Sequence, residues 1–257
     1  MQRTPKSCTN TKNSQANKSR MHYLYSRICN YENPLSPASQ YRKKRITLLL
    51  VGLLREIRSA HGSLRVADVG GTADYWNMLP SGLLDELDAQ ITLINLPGSQ
   101  SAPTSPRFSI LEADACSLGQ IPDLSFDLVH SNSVIEHVGG WQRMCEFAGE
   151  ARRLAPNVFV QTPYFWFPLE PHFMTPCFHW LPLPLRVFLL EKFSLGYFPK
   201  AGSLDQAMRY AESAQLLSEG MLRALFPDCE IHKERALCLT KSLLAIRKSD
   251  RLYTHRG

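Results

Sequence analysis

The chain has 257 residues, 44% hydrophobic and 20% charged, which suits one large α/β domain or two small ones and excludes a wholly disordered chain. Its formal charge of +6 is unevenly placed: residues 1–45 hold ten Lys/Arg against Glu32 alone, leaving 19 basic and 22 acidic residues in the other 212. A phosphate-backbone binder needs a basic face on its folded domain, so the mildly acidic remainder argues against nucleic acid as a partner.

Residues 1–37 are expected to form a disordered basic tail, followed by one domain over 38–257. The first twenty residues are rich in Asn, Lys, Ser and Thr and lack the apolar run of a secretory signal. Ile46, Leu49, Leu50, Leu53, Leu54 and Ile57 then recur at spacings of three and four, the stripe of one helix, with Gly62 as its C-terminal cap. The longest apolar run there, Leu48 to Leu54, is far short of the roughly 20 residues of a membrane span.

Short apolar strands are expected at Leu64–Val69, Gln90–Asn95, Arg107–Glu112, Phe126–His130, Asn157–Gln161 and Ser242–Arg247. Helical stretches lie between several of them. One is Trp141–Leu154, with Met144, Phe147, Ala148 and Ala151 on one face. That alternation predicts a parallel sheet covered by helices. Residues 163–200 break the rhythm with seven prolines and the aromatics Tyr164, Phe165, Trp166, Phe167, Phe173, Phe178 and Trp180. They read as an insertion on the substrate side. The stretch from His179 to Leu190 also fits an amphipathic helix in peripheral contact with a membrane or a partner.

The seven cysteines contain no Cys-x-x-Cys pair, so neither a zinc ribbon nor a redox dithiol is expected, and free thiols fit a reducing cytoplasm. His130, His137, His172 and His179 form no convincing ligand set, so no metal site is expected.

The chemistry is carried by strand ends. Arg65-Val66-Ala67-Asp68-Val69-Gly70-Gly71-Thr72 closes the first strand on a glycine turn, where backbone can approach a ligand closely. Asn95 ends the second strand, where an amide can bond a ribose hydroxyl. Asp114 and Ala115 follow the third, where a carboxylate can accept from an exocyclic amine. The fourth leads into Ser131-Asn132-Ser133-Val134-Ile135-Glu136-His137. Each alone is an ordinary strand terminus. Four in order point to a nucleoside-like ligand.

These motifs, with Ala155–Pro163 and Phe226-Pro227-Asp228, resemble the class I S-adenosylmethionine-dependent methyltransferases over roughly residues 62–248. The likeness is to the small-molecule and glycan branch, including bacterial enzymes of surface-polysaccharide and lipo-oligosaccharide pathways. It implies a Rossmann-like, mostly parallel seven-stranded sheet with helices on both faces and the insertion after the fifth strand. It also implies S-adenosyl-L-methionine as cofactor. Asp68, Gly70, Gly71 and Thr72 would line its methionine end, Asn95 the ribose, Asp114 and Ala115 the adenine, and Asn132 the sulfonium region. Two departures stand out: Gly-Gly-Thr replaces the family's Gly-x-Gly, and Asn95 replaces the usual acid. A nicotinamide-dependent dehydrogenase fits less well, because it wants Gly-x-Gly-x-x-Gly and an acid on the second strand.

The expected reaction is O-methylation of a sugar or glycan hydroxyl, one form being 2-O-methylation of fucose on a lipo-chitooligosaccharide. Deprotonating an alcohol needs a base within hydrogen-bond reach, and His137, Glu136 and His172 are the catalytic candidates, with Glu170 beside the last. Three alternatives remain open at this point. They are N- or C-methylation of a small metabolite, an inactive methyltransferase-fold binding protein, and an RNA methyltransferase using the tail.

Overall fold

A computed structural model of the chain describes residues 37–99, 105–170, 173–236 and 238–249. The expected tail lies, up to residue 36, outside the described residues, as does His172. The chain divides into two compact units, residues 1–49 and 50–257, with helix α1 (Pro37–His61) running through the boundary. Leu49 apart, everything below concerns the second unit.

Leu50, Leu53, Leu54 and Ile57 of α1 are buried at the i, i+3, i+4, i+7 spacing of a helix face. Leu49, expected on the same stripe, is exposed. It lies about 100° around the axis from Leu50, and the other four already complete the face.

Seven strands form one sheet: β1 (Leu64–Val69), β2 (Ala89–Asn95), β3 (Phe108–Glu112), β4 (Leu128–Asn132), β5 (Asn157–Pro163), β6 (Glu230–Ala236) and β7 (Leu239–Arg247). Their order is β3-β2-β1-β4-β5-β7-β6. The first five run parallel, whereas β7 is antiparallel to both β5 and β6. This is the Rossmann-like sheet that the alternating pattern and the resemblance imply. The strand missing from the periodicity is β6, Glu-Ile-His-Lys-Glu-Arg-Ala, a sheet-edge strand whose charged residues hide it from an apolar scan.

Helix α4 (Trp141–Leu154) shows how sequence becomes packing; the short α2 (Ala73–Asn77) and α3 (Leu83–Glu86) precede it. Its face of Met144, Phe147, Ala148, Ala151 and Leu154 is buried in the main core with Val129 of β4 and Val158 and Val160 of β5. Arg152 and Arg153 occupy its last turn, where cations suit the helix dipole, and Arg153 donates to the Leu118 and Ile121 carbonyls.

Asn157, at the start of β5, is fully buried, donates to the Asp127 carbonyl (2.8 Å) and accepts from the Ser249 amide (2.8 Å). Asn157→Ala removes both partners and is expected to cost about 1–3 kcal/mol, read by urea unfolding. An unchanged midpoint would show that neither bond contributes.

Between β5 and β6 the chain forms α5 (Leu183–Lys192), α6 (Leu204–Ala211) and α7 (Glu219–Leu225). Phe173, Phe178, Val187, Leu190, Ala201, Ala207 and Ala211 there build a second, smaller core. The aromatic insertion is thus partly self-packing, and its contacts run on into α6. Among the described residues no helix is long and apolar enough to cross a membrane, and no group of His, Cys, Asp and Glu is placed to hold a metal ion.

Candidate functional site

The strand order sets β3, β2, β1 and β4 side by side and parallel, so their carboxyl ends form one row, with the connections leading outward from β1 to β2 and β3 on one side and to β4 and β5 on the other. Ligands of open α/β sheets bind at such a switch point.

At its centre is the turn after β1. Gly70 has φ +74°, and its amide donates to the Ile94 carbonyl of β2 (2.8 Å). A Cβ at Gly70 would lie 2.3 Å from a Val134 methyl, and one at Gly71 would lie 1.6 Å from Asp68 Oδ2. Both glycines are therefore required by their surroundings. The next residue, Thr72, is the N-cap residue of α2, though its side chain makes no capping bond.

Asp68 is fully buried beneath this turn. It accepts from His130 Nδ1 on β4 (2.6 Å) and from the Trp76 indole Nε1–H of α2 (2.6 Å). The Tyr75 hydroxyl meets the other His130 nitrogen at 3.1 Å, and His130 stacks on Phe159 of β5 with ring centroids 5.6 Å apart. Sequence reading placed Asp68 at the ligand; in the structure its carboxylate ties three elements together beside the glycine turn. Tyr75, Trp76 and His130 had no motif to reveal them. The one available cue was an aromatic pair in the first helix after the turn.

On the β2 side, Asn95 Nδ2 donates to the Gly71 carbonyl (3.0 Å), so the amide that replaces the family's acid braces the turn. Beyond β3, Asp114 caps the loop by accepting from the Cys116 amide (3.0 Å) and takes two contacts from Arg143 Nη2 of α4 (2.7 and 2.5 Å). The Cys116 amide and then the Arg143 guanidinium hold its carboxyl below the usual range. Any amine reaching Asp114 shares it with Arg143, a residue sequence reading did not single out. Ala115 adjoins it, partly buried against the main core.

At the end of β4, Asn132 Oδ1 is buried and has no hydrogen-bond partner. Ser133 follows with φ +59° and donates through its amide to the Gln161 carbonyl of β5 (2.9 Å). The chain then makes one 3₁₀ turn, Ile135–His137. Glu136 is buried there and accepts from the Thr162 hydroxyl of β5 (2.9 Å), while His137 Nδ1 donates to the Ser213 carbonyl (2.7 Å). The Gln215 amide donates to the Glu136 carbonyl (2.7 Å), so residues 213–215 run alongside this turn. Glu170 accepts from the Phe173 amide (2.7 Å) within the insertion. His137 and Glu136 thus adjoin the carboxyl edge, whereas His172 lies outside the described residues.

Among the described residues Cys116, Cys145, Cys177, Cys229 and Cys238 are free. Burial pushes the Cys116 thiol up to about 11 and that of Cys229 up to about 12, which rules out both as thiolate nucleophiles near neutral pH.

Residues 82–157 match the family described as methyltransferase domain, less than a third of the chain. No curated protein matches the sequence. Among solved structures, a protein of Pyrococcus horikoshii OT3 is 14% identical, with 89% of this chain and 99% of that one covered at a TM-score of 0.50. The magnesium protoporphyrin IX methyltransferase of Synechocystis PCC 6803 is 13% identical over 91% and 95% of the chains at a TM-score of 0.48. An O-methyltransferase family protein of Burkholderia thailandensis is 13% identical over 92% and 71%, at 0.47. The fold is a Rossmann-like α/β fold, and within it residues 82–157 are similar to a methyltransferase domain, which supports an enzyme.

Proposed function

We propose that the chain is an S-adenosylmethionine-dependent O-methyltransferase acting on a hydroxyl of a sugar or glycan, 2-O-methylation of fucose on a lipo-chitooligosaccharide being its narrowest form. The observation that carries the acceptor side is an aromatic-walled cavity of about 310 Å³ in the insertion, whose wall runs through residues 211–216. Gln215, on that wall, and Ser213, between the wall residues Glu212 and Ala214, bond the turn after β4.

The cofactor side fits the residues present. Asn132 offers a buried oxygen without a partner at the row of strand ends, an atom that a bound polar group would satisfy. Asp68, Gly70, Gly71 and Thr72 would line the methionine end, Asn95 the ribose, and Asp114 with Ala115 the adenine. When bound, the cofactor supplies an electrophilic methyl group. The protein's own contribution is to orient the acceptor hydroxyl, exclude water and receive the proton, and positioning of this kind lowers barriers by several kcal/mol. His137, Glu136 and His172 remain the proposed proton-handling residues.

The test is calorimetric titration of the purified protein with S-adenosylhomocysteine, followed by transfer of labelled methyl to a panel of methyl glycosides. We expect micromolar binding that Asn132→Ala weakens about tenfold, the loss of one buried hydrogen bond. A protein that binds neither S-adenosylmethionine nor its product at millimolar concentration, with or without glycosides, is not a methyltransferase of this kind.

A further inference from the structure

The cavity contains a built polar site that no motif predicted. Its volume of about 310 Å³ is at the small end of the roughly 300–1,000 Å³ of small-ligand sites, so it suits a single ring-sized group. Phe165, Phe173, Leu183 and Leu216 supply apolar walls, with His179, Glu170, Arg186 and Glu212 among them.

His179 is only 9% exposed. One ring nitrogen, Nε2, lies 2.8 Å from the Phe165 carbonyl. A carbonyl only accepts, so Nε2 carries the hydrogen, and in the neutral ring Nδ1 is left with its lone pair. That Nδ1 is buried and has no partner. Buried polar atoms are nearly always satisfied, and an exception inside a ligand-sized cavity points to a missing donor.

The surrounding charge narrows the donor. Glu170 and Glu212 outnumber Arg186, whose Nη1 donates to the Ala211 carbonyl (2.9 Å) and whose buried Nε has no partner. A carboxylate or phosphate would meet excess negative charge, and Nδ1 offers it no hydrogen. A neutral hydroxyl on a ring with an apolar face satisfies both the lone pair and the phenyl walls.

We infer that His179 Nδ1 accepts a hydrogen bond from a hydroxyl of an uncharged, hydroxylated ring bound in this cavity. The methyltransferase reading is needed for the fate of that hydroxyl, not for its binding. The cavity is then the acceptor's recognition site, and His179 selects neutral sugars against acidic ones.

Burial pushes the His179 imidazole below its ordinary value. The neutral, accepting ring therefore prevails at neutral pH. Protonation removes the lone pair, so ring binding falls as pH drops through that lowered value, with Glu170, Glu212 and Arg186 the charged groups facing the ring. The unfolded chain binds this proton at higher pH than the folded one, so the same titration also lowers stability on acidification.

The experiment is NMR of protein labelled with ¹⁵N-histidine, titrated with phenyl β-D-glucoside and, separately, phenyl β-D-glucuronide. His179→Gln assigns the resonance, and it keeps an N–H for the Phe165 carbonyl while deleting the Nδ1 acceptor. We expect the glucoside to shift the His179 Nδ1 signal and the glucuronide to leave it in place. His179→Gln should bind the glucoside at least about tenfold more weakly while retaining wild-type melting and S-adenosylhomocysteine binding. An unmoved Nδ1 signal, equal binding of the glucuronide, or wild-type affinity in His179→Gln would each overturn the assignment. Glucoside engagement of His179 in a protein that binds no S-adenosylhomocysteine would uphold it and refute the methyltransferase reading instead.

Discussion

Replacing Asp68 by alanine is expected to cost the folded domain about 3–5 kcal/mol, a loss large enough to leave much of the protein unfolded at growth temperature. The carboxylate accepts two 2.6 Å bonds, from His130 and from Trp76, and all three side chains are at most 1% exposed. Alanine strands both donors in the core with no water to take the place of the oxygens. Asp68→Asn keeps the shape but turns one acceptor into a donor facing another donor, so it recovers only part of the loss. Urea unfolding followed by tryptophan fluorescence reads both, since Trp76 is itself one of the partners. Were Asp68→Ala as stable as the wild type, the buried network would be incidental. It follows that failure of Asp68→Ala to bind cofactor would be uninformative about contact, because the loss of stability alone would account for it.

Gly71→Ala is the second large effect, and it separates the turn from the fold. Its Cβ would stand 1.6 Å from Asp68 Oδ2, an atom fixed by the Trp76 indole rather than free to swing. Either the turn moves outward or the network behind it breaks. In the first case the folded domain persists and S-adenosylhomocysteine binding falls at least about a hundredfold, since the backbone of the proposed binding turn is displaced. In the second, stability falls as well. Calorimetry beside thermal melting tells the two apart. Wild-type affinity in Gly71→Ala would remove the turn from the proposed binding site.

Much of this architecture was legible beforehand. Five strand positions along the parallel half, the face of α4 and the row of polar strand ends follow from apolar runs bounded by turn residues, a local signal. The edge strand β6 escaped because an edge is allowed to be charged. Side-chain roles were less accessible, for a physical reason. Asp68 sits in a glycine-turn motif that reads as ligand-binding, yet its hydrogen bonds come from His130, 62 residues away, and from Trp76. Asp114 likewise reads as a free acceptor until α4 delivers Arg143 to it. His179 looked like one histidine among several, and only tertiary packing shows that one ring nitrogen is paired and the other is not.

Ala214 and Gln215 lie in one wall of the cavity, and the segment Ser213–Gln215 is hydrogen-bonded to the turn after β4, which is itself bound to β5 through Glu136 and Thr162. Two ligand positions that share so stiff a partition are not energetically independent compartments. Reciprocity fixes the relation between them: whatever factor an occupied cavity contributes to cofactor affinity, a bound cofactor contributes to acceptor affinity in equal measure. Coupling between the two proposed sites would then run through one backbone hydrogen bond and one from His137.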